Sequence, residues 1–437
     1  MDSSTIFSTL SVVTAVLVAV DLIVARRSVN PVRIMGYIFI ALSIATPILW
    51  DGVKGLSGSG VPPNLEYGSQ KYFEIACLTT SVSLLFTSTI FIIVRSRTSL
   101  PTNRISLRNF KLIPWPLSML VIILWILGQG PSFLDKTIYL SSDGISFLNR
   151  PTALLGPIVA TAIFAAELGT TRRLSKPSIV LAIIWVALLA SVGSRLTMLP
   201  MSLLLLSIFQ DYFGKNKSVF LKVSFSLTWI YLSVYSLLTL FYVSLVSRVQ
   251  RHGLLNIPSL LSKEGAPNVI FGESWLNSYQ SLVVSVSSIY PIVNISATYP
   301  MDPGTILQNA NPLPSDILSL SPNVSNELIL PWLPMAFLGE LLGTFGAQGL
   351  ALVIVFWSSV TLFAINYATA KERNLIAIFI GAAFSLALLS ALQYPSRISF
   401  RFFSAVYFAL LFLAFSRARS GIENRLMRQT TKIAPSK

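Results

Sequence analysis

Five arginines stand at the ends of apolar segments, where a guanidinium group lies close to a membrane surface. Arg195 occurs in VGSRLTM, Arg248 and Arg251 in VSRVQRHG, and Arg397 and Arg401 in YPSRISFR. The fork of N–H donors on arginine matches the oxygens of phosphate, and the group keeps its charge at physiological pH. If the segments converge on one face, we expect several of these guanidinium groups to meet in one cavity whose donors match phosphate oxygens.

Each of these arginines, taken alone, also has a structural explanation. A long basic side chain at the edge of a membrane reaches the lipid headgroups or pairs with a nearby carboxylate. Arg195 fits this explanation least well, because it lies in a tight Gly-Ser-Arg turn between two apolar segments.

Two residues are candidates for a general base. Glu340 lies in FLGELLGTFGAQG, an apolar segment in which a solvated carboxylate is unexpected; its structural alternative is to pair with one of the arginines. His252 follows Arg251, and an imidazole titrates near neutral pH.

The composition excludes several classes of protein. With 53% hydrophobic and 11% charged residues, the chain lacks the polar side chains that a soluble protein of 437 residues needs for its surface. The net charge of +15 does not indicate nucleic-acid binding, since the basic residues form short clusters between apolar runs. One cysteine, Cys77, and one histidine leave too few ligands for a zinc or copper site, so no metal and no cofactor are expected.

The elements that must position these residues are membrane-spanning helices. Apolar runs of about 18 residues or more are long enough to cross the hydrocarbon core. They predict an all-α polytopic membrane protein of about eleven spans, at 7–25, 34–50, 73–94, 113–130, 152–168, 178–194, 197–213, 219–247, 346–369, 374–392 and 402–416.

The distribution of basic residues predicts the orientation. With the N-terminus outside, 22 of the 32 lysines and arginines lie in cytoplasmic connections and in the basic tail at 417–437. Cytoplasmic loops of membrane proteins carry this excess, so we expect the N-terminus outside and the C-terminus inside.

The predicted organisation has one long outer segment. Spans one to eight occupy 1–247, a loop that includes an amphipathic segment occupies 248–345, and the last three spans occupy 346–416. The loop contains aromatic residues, so we expect a partly helical cap rather than a disordered linker. Within it, WLPMAFLGELLGTF, which begins at Trp332, is expected to lie along or dip into the outer interface.

Three motifs resemble those of the Wzy-type oligosaccharide repeat-unit polymerases, which make O-antigen and related polysaccharides. They are the turn GSRLTMLP, the segment GELLGTFGAQG that leads into a span after the long loop, and QYPSRISFRFF. The pattern covers residues from about 178 to 416, whereas the first five spans agree only in hydropathy.

This resemblance implies a metal-independent glycosyltransferase of GT-C-like architecture in the cytoplasmic (inner) membrane. Its substrate would be an oligosaccharide linked to a polyprenyl diphosphate, and its partners membrane lipids, a flippase and a chain-length regulator. Arg195, Arg248 and Arg397 occupy the matching positions of the essential outer arginines. We assign catalysis to Arg195, Glu340 and Arg397, and diphosphate or glycan binding to the remaining candidates: Arg248, Arg251, His252, Arg401, Trp275 and Tyr279.

Three other functions remain open. An O-antigen ligase-like glycosyltransferase would use the same donor with another acceptor. A polysaccharide or lipid transporter would be expected to show internal repeats and paired polar helices, and the isolated Asp21 and Glu167 are its only candidate relay residues. A non-catalytic scaffold is compatible with the composition.

Overall fold

The fold was analysed in a computed structural model of the full chain. It describes continuous segments and, between 134 and 168, between 194 and 240 and at 283, isolated residues or short groups. The continuous segments are 3–24, 30–53, 71–97, 114–131, 174–192, 253–256, 287–299, 302–309, 328–330, 333–370, 374–396 and 398–411.

Almost all of these segments are α-helical. In chain order the helices are α1 Ser3–Val24, α2 Pro31–Val53, α3 Tyr72–Arg97, α4 Pro114–Gln129, α5 Lys176–Ser191, α6 Ile289–Thr298, α7 Pro303–Asn309, α8 Phe337–Ala370, α9 Asn374–Ser390 and α10 Ile398–Leu411. Two short antiparallel strands, β1 Leu328–Leu330 and β2 Leu333–Pro334, are the exception among the described residues. The predicted all-α class is therefore confirmed for the described part of the chain, apart from this pair.

Four helices are long and apolar enough to cross a bilayer, namely α1, α2, α3 and α8. The helices α4, α5, α9 and α10 are apolar but shorter. These eight helices correspond to predicted spans. Their ends differ from the predicted ones by a few residues, except that α8 begins nine residues before the predicted span at 346–369. The chain is thus compatible with a membrane-embedded protein, and the count of eleven spans stays a prediction.

The chain forms two compact units, residues 1–105 with 287–437, and residues 106–286. In the first unit, α3 lies at the centre and packs against α1, α2, α6 and α8. Of its most apolar 18-residue window 61% is buried, against 11% in α1. The outward side chains of the peripheral helices are large and apolar, as Ile23, Leu352 and Phe363 illustrate, which is the surface that lipid would cover.

The central position of α3 explains its unusual composition. Its buried residues include a series of hydroxyls: Thr79, Thr80, Ser81, Ser83, Thr87, Ser88 and Thr89. The Ser83 hydroxyl donates to the carbonyl of Thr79 at 2.8 Å, and the Thr87 hydroxyl donates to that of Ser83 at 2.7 Å. Main-chain carbonyls of the same helix therefore satisfy some of these buried hydroxyls. Small hydroxyl side chains also let neighbouring helices approach closely.

Contacts at the two ends of the first unit fix the direction of its helices. At one end, the Phe73 N–H donates to Oδ1 of Asn294 at 2.8 Å, and Gly339 lies against Ser296. At the other end, Arg33 pairs with Asp21. We call these the Glu340 end, with Phe73, Asn294, Glu340 and Ser396, and the Asp21 end, with Asp21, Arg33 and Thr89.

The helix α8 contains a sharp break at Gly346, which has φ 67° and ψ −179°. Only glycine adopts this backbone conformation readily. The predicted span at 346–369 therefore begins at the break, and a separate helical segment, Phe337–Phe345, precedes it.

The first part of this preceding segment is packed against other helices of the first unit. All residues from Ala336 to Leu342 are buried. This packing is possible because Gly339 and Gly343 have no side chain. A Cβ atom at Gly339 would lie 2.5 Å from the carbonyl oxygen of Val293 in α6, and a Cβ atom at Gly343 would lie 2.5 Å from that of Ala297. The GxxxG spacing thus allows the backbones of α8 and α6 to touch.

The second unit has its own apolar core. Trp125 of α4 and Trp185 of α5 meet edge to face, with ring centroids 6.0 Å apart and an angle of 70°. Gly156 lies beneath both rings. The end of α4 is closed by Gly130, with φ 72°, and by the Ile145 N–H, which donates to the carbonyl of Leu127 at 3.0 Å.

Candidate functional site

Two of the nine predicted site residues, Glu340 and Arg401, belong to the described part of the chain. The other seven lie outside it: Arg195, Arg248, Arg251, His252, Trp275, Tyr279 and Arg397. The convergence of the arginines in one cavity therefore stays a prediction.

Glu340 lies in the first turn of α8 and is fully buried at the Glu340 end of the first unit. Its N–H donates to the carbonyl of Ala336 at 2.9 Å, and its Oε2 accepts the N–H of Ser396 at 3.4 Å. A carboxylate in this position also faces the positive end of the helix dipole. The site thus contains a buried carboxyl group that accepts a main-chain N–H.

Ser396 is the second member of the site and directly precedes Arg397 in the chain. Its turn is closed by the Ile398 N–H, which donates to the carbonyl of Pro395 at 3.0 Å. Its Oγ accepts a hydrogen bond from Nδ2 of Asn309 at 2.9 Å, and both residues are fully buried. Asn309, Ser396 and Glu340 therefore form one chain of buried polar contacts.

Three separate segments supply this chain: the end of α7, the connection between α9 and α10, and the start of α8. The connection is attached directly to α8, because the N–H groups of Phe337 and Leu338 donate to the carbonyls of Tyr394 and Ala391, both at 3.0 Å. The first N–H groups of a helix lack partners within it, so these bonds satisfy them and fix the two segments together.

Aromatic rings form the apolar layer next to the site. Phe337 contacts Phe400 with centroids 5.1 Å apart, and Trp357 stacks on Phe403 at 4.3 Å with an angle of 12°. Trp357 and Phe400 are joined edge to face at 5.3 Å. An apolar surrounding of this kind has a low dielectric constant, which strengthens the electrostatic interactions of a buried polar group.

Arg401, the other described candidate, lies in α10 and is partly exposed. Its carbonyl accepts the hydroxyl of Ser404 at 2.7 Å. It follows Ser396 by five residues and so belongs to the same end of the first unit. Its part in a substrate site stays a prediction.

The isolated carboxylates considered for a transporter have structural partners. Oδ2 of Asp21 accepts hydrogen bonds from Nε of Arg33 and from the hydroxyl of Tyr37, both at 2.6 Å, and Thr89 donates to Oδ1 at 3.3 Å. In the second unit, Oε1 of Glu167 accepts the Ser175 N–H at 3.0 Å, just before α5 begins. Both carboxylates are thus held by neighbouring donors in the described part of the chain.

Among the described residues, no group of three histidine, cysteine, aspartate or glutamate side chains is arranged to hold a metal ion. Cys77 is a free, buried thiol in α3. At the Glu340 end, the described residues that could take part in chemistry are Glu340, its polar neighbours and Arg401.

Asn309 is the member of the site that sequence reasoning missed. It is separated from Ser396 by 87 positions, and no local pattern in the intervening chain marks the contact. The only signal is that Ser396 is one of three serines that precede the candidate arginines, with Ser194 and Ser247.

Comparison of the chain with protein-family models, with curated proteins and with solved structures gives no match. The resemblance to the Wzy-type polymerases, and the activity that it implies, therefore enter below as a proposal.

Proposed function

We propose that this protein is a membrane-embedded polysaccharide polymerase. It would transfer a growing glycan from its polyprenyl diphosphate carrier to the non-reducing end of the next lipid-linked repeat unit. The observation that carries the proposal is Glu340, a fully buried carboxylate hydrogen-bonded to the N–H of Ser396, the residue before Arg397.

The proposed reaction forms one bond and breaks another. The acceptor hydroxyl oxygen bonds to the anomeric carbon of the donor, and the bond between that carbon and the diphosphate oxygen breaks. Its electron pair leaves with the diphosphate, where Arg195 and Arg397 stabilise the new charge without a metal. The hydroxyl proton passes to the general base, for which Glu340 is the first candidate and His252 the second.

The reaction would take place on the outer face of the cytoplasmic membrane. This orientation rests on the 22 of 32 basic residues that fall on the opposite side when the N-terminus is outside. In that orientation the Glu340 end faces outward, where lipid-linked repeat units would be presented.

The test is the polymer made by cells that carry single variants in place of the natural gene. E340Q keeps the size of the side chain and an oxygen that accepts the Ser396 N–H, but it removes the basicity. We expect E340Q and R397A to abolish the ladder of long chains and to leave single repeat units. E74Q, which neutralises a partly buried carboxylate in the first turn of α3, is the matched control and should keep the ladder.

Ladders of normal length in both E340Q and R397A would contradict the proposal. Single units attached to lipid core by the natural protein, without any ladder, would instead indicate the ligase-like enzyme. An E340A variant separates a role of Glu340 as the base from a role in positioning. Loss of the ladder in E340A with a normal ladder in E340Q would assign Glu340 to positioning and leave His252 as the base.

A further inference from the structure

We propose that Asn309, acting through Ser396, is a positioning residue for Arg397. This inference rests on the proposed function, because it assigns a role toward the arginine that would stabilise the diphosphate. It adds a residue that neither the arginine pattern nor the family resemblance indicates.

The first step is the burial of the pair. Asn309 and Ser396 are exposed to 1% and 0%. Burying an amide and a hydroxyl is unfavourable unless they are hydrogen-bonded, and here Nδ2 of Asn309 reaches Oγ of Ser396 at 2.9 Å. An apolar pair would fill the space without this restriction, whereas a polar pair fixes one relative position of α7 and the connection before α10.

The second step is the number of contacts that hold Ser396. Its N–H donates to Oε2 of Glu340, and its Oγ accepts from Asn309, so partners from two distant segments hold its main chain and its side chain. The turn is also closed by the bond from the Ile398 N–H to the Pro395 carbonyl.

The third step is the place of the turn in the chain. The residue that follows Ser396 is Arg397, so a shift of Ser396 moves the main chain on which the arginine is carried. A misplacement of about 1 Å in a catalytic group can cost roughly 100-fold in rate, because the geometry of the transition state is strict. Asn309 thus acts on the reaction without contacting the substrate.

A double-mutant cycle tests this role in purified protein reconstituted in liposomes. The substrate is the lipid-linked repeat unit extracted from cells that lack the gene. We expect N309A and S396A each to lower kcat by about 10-fold to 100-fold with KM little changed. The double variant should be no slower than the slower single variant, because both remove the same hydrogen bond. S396T keeps the acceptor oxygen and should retain most of the activity.

N294A is the matched control for the loss of a buried amide at this end. Asn294 is also fully buried and accepts the Phe73 N–H, but no described contact joins it to the Ser396 turn. We expect N294A to lower the melting temperature while kcat per folded molecule stays unchanged. An equal loss of kcat in N294A would overturn the proposal, because the effect would then be general.

Thiol labelling gives a readout that does not depend on activity. In a C77S background, R397C would be treated with a membrane-impermeant maleimide, and we expect N309A to change its labelling rate by several-fold. If N309A does not accumulate, S396A takes its place in both assays.

The outcomes separate the two proposals. Inactive R397A with fully active N309A and S396A would overturn the role of Asn309 and leave the proposed function in place. An unchanged labelling rate would also overturn it. Active R397A would contradict the proposed function itself.

Discussion

Arg33 donates its Nε–H to Oδ2 of Asp21 across 2.6 Å, and this ion pair joins the end of α1 to the start of α2. Asp21 is fully buried, and Arg33 retains 12% exposure of its side chain. In α1 only Asp21 and Thr14 are buried among the described residues, so the pair is the main polar anchor of a helix that otherwise exposes apolar side chains.

This pair predicts an asymmetry between single and double substitutions. D21N leaves the Arg33 charge without its carboxylate inside the bundle, and we expect a loss of about 3–5 kcal/mol in the free energy of unfolding. Adding R33M to D21N removes the uncompensated charge, so the double variant D21N/R33M should recover part of the lost free energy of unfolding. The measurement is thermal unfolding in detergent, followed by circular dichroism. Independent, additive losses would show that the pair is not coupled.

Two glycines in α8 predict losses of stability with different causes. In G343A the new Cβ would lie 2.5 Å from the Ala297 carbonyl oxygen, so α6 and α8 must separate, at a cost of roughly 1–3 kcal/mol. In G346A nothing lies within 4 Å, but φ is 67°, and the strain alone costs about 1–3 kcal/mol.

Gly52, in α2, is the control for both glycine variants, because a Cβ there meets no atom within 4 Å and no positive φ is required. G52A should leave the melting temperature unchanged or raise it slightly, since alanine favours a helix. A drop in G52A equal to that in G343A would refute the close-approach explanation.

The helical segments were predictable from sequence for a simple reason. Apolar runs such as 34–50 and 73–94 are set by the thickness of a bilayer, and α2 and α3 contain them in full. The segment before Gly346 is predicted to lie along or dip into the outer interface, and this stays a prediction. Hydropathy does not reveal that Gly339 and Gly343 let the segment pack closely against α6.

The candidate site was predictable in part. The burial of Glu340 followed from its apolar neighbours in the sequence, but its Ser396 partner is 56 positions away and its geometry depends on how α8 meets the start of α10. Asn309 gave no signal, since an asparagine at the end of a short helix is common and only the folded chain brings it to Ser396.

Tyr290, in α6, predicts a pH dependence of stability. Burial raises the pKa of its phenol, and the negative charges of Glu74 and Asp51 act in the same direction. In the unfolded chain the phenol of Tyr290 ionises at about pH 10, which is below the pH at which it ionises in the folded protein. The contribution of Tyr290 to the free energy of unfolding is therefore fully present below about pH 10. It is lost as the pH rises through the pKa of Tyr290 in the folded protein.

We expect Y290F to show a smaller fall of melting temperature between pH 9 and 11 than the natural protein, on the order of a few degrees. Y299F, at an exposed position after α6, controls for the loss of a tyrosine. Parallel pH curves for Y290F and the natural protein would contradict the assignment.

The orientation can be tested at two exposed positions on opposite ends of the first unit. Tyr299 follows α6 at the Glu340 end and is 64% exposed, and Ala370 ends α8 at the other end and is also exposed. Ile365, near the end of α8, and Pro31, at the start of α2, both lie within 4 Å of a Cβ built at Gly381, which places Ala370 at the Asp21 end. Cys77 is buried in α3, so the natural thiol gives little background.

We expect a membrane-impermeant maleimide to label Y299C in intact spheroplasts and A370C only after the membrane is permeabilised. The physical reason is the excess of basic residues at the predicted cytoplasmic connections, which opposes their translocation. The reverse pattern would place Glu340 on the cytoplasmic side, where a polymerase of exported repeat units cannot act. Labelling of both variants in intact spheroplasts would mean that the two ends are not separated by a bilayer, and the membrane-embedded assignment would then fail with the polymerase proposal.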